Sequence, residues 1–174
     1  MSPGVSFRYC GLMSVSMSRR MVEIAHVVID SDKPSAAVRA SLERLVPAID
    51  KEIAVLVSDG MTDRLKQRLE AAPELSIFLK RDHGALLGLY GHARDAVQYE
   101  IGNPLTASTM TRYELAAALY APLRVVIYEK DDGGSRIEYD LPSSLFGQFG
   151  DERVTAVARG LDVALGAALS AAAG

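Results

Sequence analysis

The sequence lacks paired cysteines, tryptophan and a large excess of charge of either sign. Its 174 residues include one cysteine, Cys10, and no tryptophan. One cysteine excludes an internal disulfide and a zinc site built from several thiolates. Nineteen basic and twenty-two acidic residues leave a net charge of −3, which gives no basic surface typical of nucleic-acid binding. We therefore expect a cytoplasmic protein with no nucleic-acid partner and no bound cofactor.

Long uninterrupted hydrophobic runs are also absent. The most apolar stretch lies near the C-terminus, where Arg153, Arg159 and Asp162 interrupt it, so we expect no membrane span. Hydrophobic residues make up 49% and charged residues 24% of the chain, which excludes a disordered chain and a polytopic membrane protein. The length fits a single domain with its own core.

The charge pattern divides the chain near residue 20. Residues 1–20 contain three arginines and no acidic residue, and this stretch is rich in serine without hydrophobic periodicity. Ser18-Arg19-Arg20 resembles a twin-arginine export signal, but Glu23 interrupts the apolar stretch that such a signal requires. We expect residues 1–20 to be a disordered tail or an overlong gene start, and residues 21–174 to form one domain.

Hydrophobic periodicity predicts alternating strands and helices. The predicted strands cover 22–29, 53–57, 75–79, 97–101, 123–128 and 137–139, and the predicted helices cover 34–49, 61–69, 103–119 and 151–169. Asp131-Asp132-Gly133-Gly134 predicts a tight turn between the last two strands. Because a hairpin requires antiparallel neighbours, the pattern favours the α+β class over a doubly wound parallel sheet.

Three segments resemble the family called domain of unknown function 302. They are Val97–Leu105, with its Gly-Asn-Pro corner, Tyr120–Glu129 and Ile137–Pro142. The resemblance extends over residues 21–174. It implies an α+β fold with a curved, mainly antiparallel sheet, helices on one face and TATA-binding-protein-like topology. It also implies pairing as a homodimer, and no established activity.

Typical members of that family carry two cysteines, one before the Asn-Pro pair and one at the start of the following strand. Gly102 stands at the first position here, and the second falls near Pro122 or Leu123. The resemblance therefore implies no thiol or thiolate-metal chemistry for this chain.

The Asn103-Pro104 pair is the main candidate site. Pro104 suits the first turn of a helix, and Asn103 can cap that helix. The backbone N–H groups of Leu105 and Thr106, with the Thr106 hydroxyl, could then receive an anion, although a purely structural cap is an alternative interpretation.

Several polar side chains are predicted to lie near this corner. Tyr99, Tyr128 and Tyr139 fall on three predicted strands and would line one face of a pocket if those strands are neighbours. Gln148 lies in the segment 142–150, which could act as a lid or a pocket wall, or could simply pack on the core. The complete set of expected ligand-binding residues is Tyr99, Glu100, Asn103, Thr106, Arg124, Tyr128, Tyr139 and Gln148.

Three functions remain open at this point. The first is a homodimeric module that binds or senses a small molecule at the Asn103 corner. The second is an enzyme with Glu100 or His92 as general base, and the third is a protein-interaction module. The three histidines match no metal-ligand spacing, so we expect no metal site.

Overall fold

The computed structural model describes residues 5–8 and 14–174. These residues form seven strands, six α-helices and two 3₁₀ helices. The strands are β1 (Val5–Arg8), β2 (Ser14–Met17), β3 (His26–Ser31), β4 (Ser76–Asp82), β5 (Ala96–Gly102), β6 (Leu123–Glu129) and β7 (Ser135–Asp140). The α-helices are α1 (Ser35–Leu45), α2 (Glu52–Ser58), α3 (Thr62–Glu70), α4 (Pro104–Thr111), α5 (Pro142–Gly147) and α6 (Glu152–Ala173). The 3₁₀ helices are Ala85–Tyr90 and Leu115–Tyr120.

Five strands form one open antiparallel sheet in the order β3-β7-β6-β5-β4. Strands β6 and β7 form the predicted hairpin, in which the Lys130 N–H donates to the Gly134 carbonyl at 2.8 Å. Gly133 has a φ of 86° in this turn, a conformation that favours glycine. The α+β class and the antiparallel sheet are confirmed.

One face of the sheet carries the core and is covered by helices. Tyr99, Val125 and Tyr139 lie in one row across three neighbouring strands, and all three are buried there. The residues that alternate with them point to the opposite side, which we call the open face. Its side chains are half-buried or exposed.

Helices α1 and α6 pack side by side on the covered face. In α1, Val38 and Leu42 are four residues apart and fully buried, as one stripe of an amphipathic helix should be. In α6, the stripe through Leu161, Leu165 and Leu169 is likewise buried. By length and composition, α6 is the one helix in the described part of the chain that could cross a membrane. Its buried stripe belongs to the core of the domain.

The prediction of a buried strand at 53–57 is wrong, because this segment is the helix α2. Ile53 and Leu56 are buried whereas Val55 and Val57 are exposed, which is the spacing of a helix with one covered side. The run is too short for its hydrophobicity to distinguish a strand from a helix.

The helix predicted over 103–119 is shorter than expected. Helix α4 ends at Thr111, and the second 3₁₀ helix, Leu115–Tyr120, follows it. Glu114 separates the two, because its carboxylate accepts a hydrogen bond from the Ala116 N–H and so caps the new helix. The predicted apolar stripe does not persist, since Leu115 and Leu119 are exposed.

Two short strands lie within the segment predicted to be a tail. β1 pairs with β2 in an antiparallel hairpin. Cys10 lies between them and outside the described residues. Further along, the Arg20 guanidinium donates to the Gln148 side-chain oxygen at 3.0 Å. The separation of residues 1–20 from the domain stays a prediction.

Candidate functional site

The chain turns sharply where β5 ends and α4 begins. Asn103 keeps an extended backbone, with φ −140° and ψ 124°, and Pro104 occupies the first turn of the helix. The Asn103 Oδ1 accepts a hydrogen bond from the Thr106 N–H at 3.0 Å. This is the predicted helix cap, and it is confirmed.

The second half of the Asn103 amide is also engaged. Its Nδ2 donates to the Pro73 carbonyl at 3.0 Å, which ties the corner to the loop after α3. Because the Thr106 N–H already donates to Asn103, it does not offer the free donor that we expected for an anion. The Thr106 N–H therefore stabilises the start of α4 and is not available to a ligand.

A small cavity lies directly beside this corner. Its volume is about 90 Å³. Its lining comes from the first half of β4, the corner itself, α4, the start of β6, α5 and α6. The lining residues are Phe78, Gly102, Asn103, Pro104, Thr106, Ala107, Met110, Ala121, Pro122, Leu123, Phe146 and Leu161.

The cavity wall is almost entirely apolar. Asn103 and Thr106 are its polar lining residues, and no charged side chain lines it. The Thr106 hydroxyl makes no hydrogen bond with any residue in 5–8 or 14–174, so it can donate to or accept from a bound molecule. This chemistry suits an apolar group with one polar neighbour better than it suits a bare anion.

Gly102 and Pro122 face each other in the wall of this cavity. A Cβ atom placed on Gly102 would lie 3.6 Å from the Pro122 Cβ and 3.8 Å from the Phe78 Cε2, which is ordinary contact. By the sequence resemblance, these are the places where typical family members carry cysteines. In this chain the same place is an apolar wall without a thiol.

Tyr99 lies away from the cavity, beneath helix α1. Its hydroxyl donates to a Glu43 carboxylate oxygen at 2.8 Å, and the Lys80 ammonium lies 2.9 Å from the same oxygen. Burial and the bond to Glu43 raise the pKa of Tyr99 far above its ordinary value. Tyr99 is therefore a neutral hydrogen-bond donor at any ordinary pH.

Arg39 extends this polar cluster along α1. It donates to Asp95 at 2.8 Å, and the Ser35 hydroxyl donates to the same carboxylate oxygen at 2.6 Å. The Arg39 Nε is buried and has no partner among the described residues. Sequence reasoning missed Arg39 and Glu43, although their spacing of four residues beside the Val38–Leu42 stripe places them on one side of a helix.

The predicted tyrosine face is wrong for Tyr128. Tyr99 and Tyr139 share the covered face, but Tyr128 lies an odd number of residues from Val125 and therefore points to the open face. There its hydroxyl donates to Glu138. Tyr139 stays buried near α6, where burial raises the pKa of its hydroxyl. The three phenols do not meet.

Glu100 and Arg124 also point to the open face, as directly opposed residues of β5 and β6. Glu100 forms its ion pair with Arg81 of β4. Neither Glu100 nor Arg124 lines the cavity. Of the eight expected ligand-binding residues, the cavity brings together only Asn103 and Thr106.

Gln148 lies beside the cavity wall without lining it. Its Nε2 donates to the Leu145 carbonyl at 2.7 Å, which closes the end of α5. Its neighbour Phe146 is fully buried and lines the cavity, and Tyr120 stands edge-on to that ring with centroids 6.3 Å apart. This segment therefore forms part of the cavity wall through Phe146.

His92 is exposed in the loop before β5, and Glu100 lies near the far end of that strand. The four residues from Ala96 to Glu100 alone span about 13 Å in a strand, so the two side chains serve different regions. The enzyme alternative stays a prediction. Within the described ranges, no group of three or more His, Cys, Asp or Glu side chains is arranged to hold a metal ion.

A second polar cluster lies on the open face at β3. His26 bonds through its Nδ1 to Asp140 at 2.8 Å and through its Nε2 to Glu138 at 2.9 Å. These two carboxylates, Asp140 first, raise the pKa of His26 above its ordinary value. At the other end of β3, Asp30 contacts Arg136 at 2.9 Å and Lys130 at 3.6 Å. The Arg136 bond lowers the pKa of Asp30.

The structure is similar to a solved one. The crystal structure of an uncharacterized conserved DUF302 protein from Bacillus stearothermophilus matches it with a TM-score of 0.62 and 19% sequence identity. The match covers 84% of this chain and 97% of that one, and at this identity it shows the fold alone. The search of curated proteins found no match.

The model of the family described as "Domain of unknown function DUF302" matches residues 55–172, which is more than half of the chain. The chain therefore belongs to the DUF302 family.

Proposed function

We propose that this protein is a small-molecule-binding module that acts as a homodimer. Its site is the cavity at the Asn103-Pro104 corner. The ligand is a small molecule that places a short apolar group in the cavity and a hydroxyl-sized polar group beside Thr106. The observation that carries this proposal is an apolar cavity lined by Thr106, whose hydroxyl has no hydrogen-bond partner among the described residues.

The cavity volume limits the size of the part of the ligand that can be buried. Pockets that enclose a drug-sized molecule have volumes of about 300–1,000 Å³. The cavity here has about 90 Å³, well below that range. A short alkyl chain therefore fits inside, and any larger part of the ligand lies outside the cavity. Met110 supports this because its flexible side chain can adapt to such a group.

The absence of charge in the lining supports a neutral ligand. A carboxylate or phosphate inside an apolar wall would lose its hydration without gaining a cation. A hydroxyl at Thr106 keeps one hydrogen bond and needs no counter-charge. We therefore place the ligand among neutral molecules with a short aliphatic end, such as simple alcohols.

Straight-chain alcohols from ethanol to hexan-1-ol test the proposal. We expect binding, followed by methyl chemical shifts of Met110, to strengthen about fourfold per added methylene until the cavity is full and then to level off. Ala107→Leu places an isopropyl group in the cavity and should abolish the effect. Ala40→Leu, on an exposed site of α1, is the matched control.

Thr106→Val tests the polar half of the site. The substitution keeps the shape of the side chain and removes its hydroxyl, so alcohols should bind more weakly while the dependence on chain length persists. Met110 shifts that are equal in wild type and Ala107→Leu, or that do not depend on chain length, would contradict the proposal.

The homodimer rests on separate grounds. Helix α6 keeps an exposed side that is small and uncharged over Gly160, Val163 and Ala167, so another helix could approach it closely. The sequence resemblance to the family also implies pairing. Sedimentation velocity should give a species of twice 18.7 kDa at micromolar concentration.

A further inference from the structure

The two edge strands of the sheet differ in how well they are protected. β4 and β3 are the edges, since β4 pairs only with β5 and β3 only with β7 within the sheet. A regular edge strand offers free N–H and C=O groups to any other strand, and proteins protect such edges with bulges, lysines or covering loops. A comparison of these protective features between β4 and β3 shows which edge is free to pair with another strand.

β4 carries all of these protective features. Ile77 exchanges backbone hydrogen bonds with the segment 47–49, through the Pro47 carbonyl at 2.8 Å and the Ile49 N–H at 2.9 Å. A bulge follows between Ile77 and Leu79. The rest of the strand carries Lys80 and Arg81, which would face like charges in a symmetric pair. A second copy is therefore disfavoured at β4.

β3 carries none of them. Its six residues pair with β7 in unbroken register and include no lysine, arginine or proline. The Leu141 N–H bonds to the Ala25 carbonyl at 2.8 Å, so by alternation the backbone groups of His26, Val28 and Asp30 point away from β7. No backbone partner for that side of β3 occurs in residues 5–8 or 14–174.

The exposed side chains of β3 can meet those of a second copy without placing like charges opposite each other. Val28 is 47% exposed at the centre of the strand, with His26 and Asp30 on either side of it on the open face. In an antiparallel pair of two β3 strands centred on Val28, each Val28 meets its copy. Each His26 then lies opposite an Asp30.

The neighbouring charges agree with that register. The His26 end of β3 is bordered by the carboxylates of Glu138 and Asp140. The Asp30 end is bordered by Arg136 and by Lys130, which also contacts Asp132. A two-fold axis at Val28 therefore places the carboxylates of Glu138 and Asp140 against an end that holds two cations, Arg136 and Lys130, together with the carboxylates of Asp30 and Asp132.

We propose that two copies of this chain dock through the outer edge of β3, so that the two five-stranded sheets become one continuous ten-stranded sheet. The ten strands are the five of each copy. Hydrogen bonds from His26, Val28 and Asp30 connect the copies, and α6 of each copy, which packs on β3, lies next to this interface. This inference rests on the homodimer of the proposed function and specifies its interface.

Sedimentation velocity of matched variants tests the interface. Val28→Lys places two ammonium groups on the two-fold axis and should weaken dimerisation at least about tenfold. Leu79→Lys is the control, because Leu79 is 42% exposed on the other edge strand and its substitution should leave the dimer intact. Circular dichroism should show the same helix content in both variants.

Hydrogen exchange of the wild type gives an independent test. The amides of His26, Val28 and Asp30 should exchange slowly in the dimer and quickly after dilution to the monomer. The amides of Val27 and Ile29, which bond to β7, should be slow in both states.

The outcomes separate this inference from the proposed function. If the wild type is a dimer and both lysine variants retain it, or both weaken it equally, the β3 interface is wrong. The homodimer itself then still stands. Fast exchange of the Val28 amide in the dimer also overturns it. A monomeric wild type overturns both the interface and the homodimer, while the alcohol titration alone decides whether the cavity binds a ligand.

Discussion

Asn103 holds two backbone groups in place with one side chain. Its oxygen caps α4 through the Thr106 N–H, and its nitrogen holds the Pro73 carbonyl, each at 3.0 Å. Asn103→Ala removes both bonds, and we expect the free energy of unfolding in urea to fall by about 1–2 kcal/mol. Asn103→Asp keeps the cap and should lose less. A loss below about 0.5 kcal/mol in the alanine variant, the range of a neutral surface change, would contradict this role.

The sequence predicted the Asn103 cap because both partners are three residues apart. It did not predict the cavity, because Phe78 and Leu161 reach that wall from distant parts of the chain. Tyr128 shows a different failure. Its position on a strand was correct, but the face it points to depends on how β6 pairs with β5 and β7, which local pattern does not contain.

Helix α1 and strand β5 are joined by Glu43, which accepts hydrogen bonds from Lys80 and Tyr99. Burial alone would raise the pKa of Glu43, but these two bonds outweigh it and lower the pKa below its ordinary value. A lowered pKa in the folded state means that the stabilisation is present above the pKa of the unfolded chain. It is lost as the pH falls through the folded value.

We therefore expect Glu43→Gln to remove a pH-dependent part of the stability. The difference in the free energy of unfolding between wild type and variant should be largest near neutral pH and should shrink below about pH 4. Urea unfolding at a series of pH values measures it. A difference that is constant from neutral to acidic pH would show that Glu43 contributes by packing alone.

At the scale of elements, the hydrophobic pattern was sufficient for the three central strands of the sheet, whereas the strand predicted over 22–29 is β3, His26–Ser31. β5, β6 and β7 lie where the alternating residues predicted them. The same approach failed at α2, because a run of five apolar residues contains no polar position to show the period. The cluster of Glu43, Arg39 and Tyr99 was not predictable either, since it joins residues 56 apart in the chain.

At the scale of the whole molecule, one layer of helices on one antiparallel sheet leaves two kinds of surface for function. The covered face encloses the apolar cavity between α4, α5, α6 and the ends of β4 to β6. The open face and the β3 edge present charged and apolar side chains to other molecules. The two proposals put ligand binding and self-association on separate surfaces, so a substitution that changes one should leave the other unaffected.

Xenon tests the cavity most directly, because it binds empty apolar cavities and needs no polar group. We would record methyl spectra of the wild type and of Ala107→Leu under increasing xenon pressure. We predict pressure-dependent shifts of the Met110 and Leu161 methyl groups in the wild type and none in the variant. Wild-type Met110 signals that do not respond, or that respond equally in Ala107→Leu, would contradict the account.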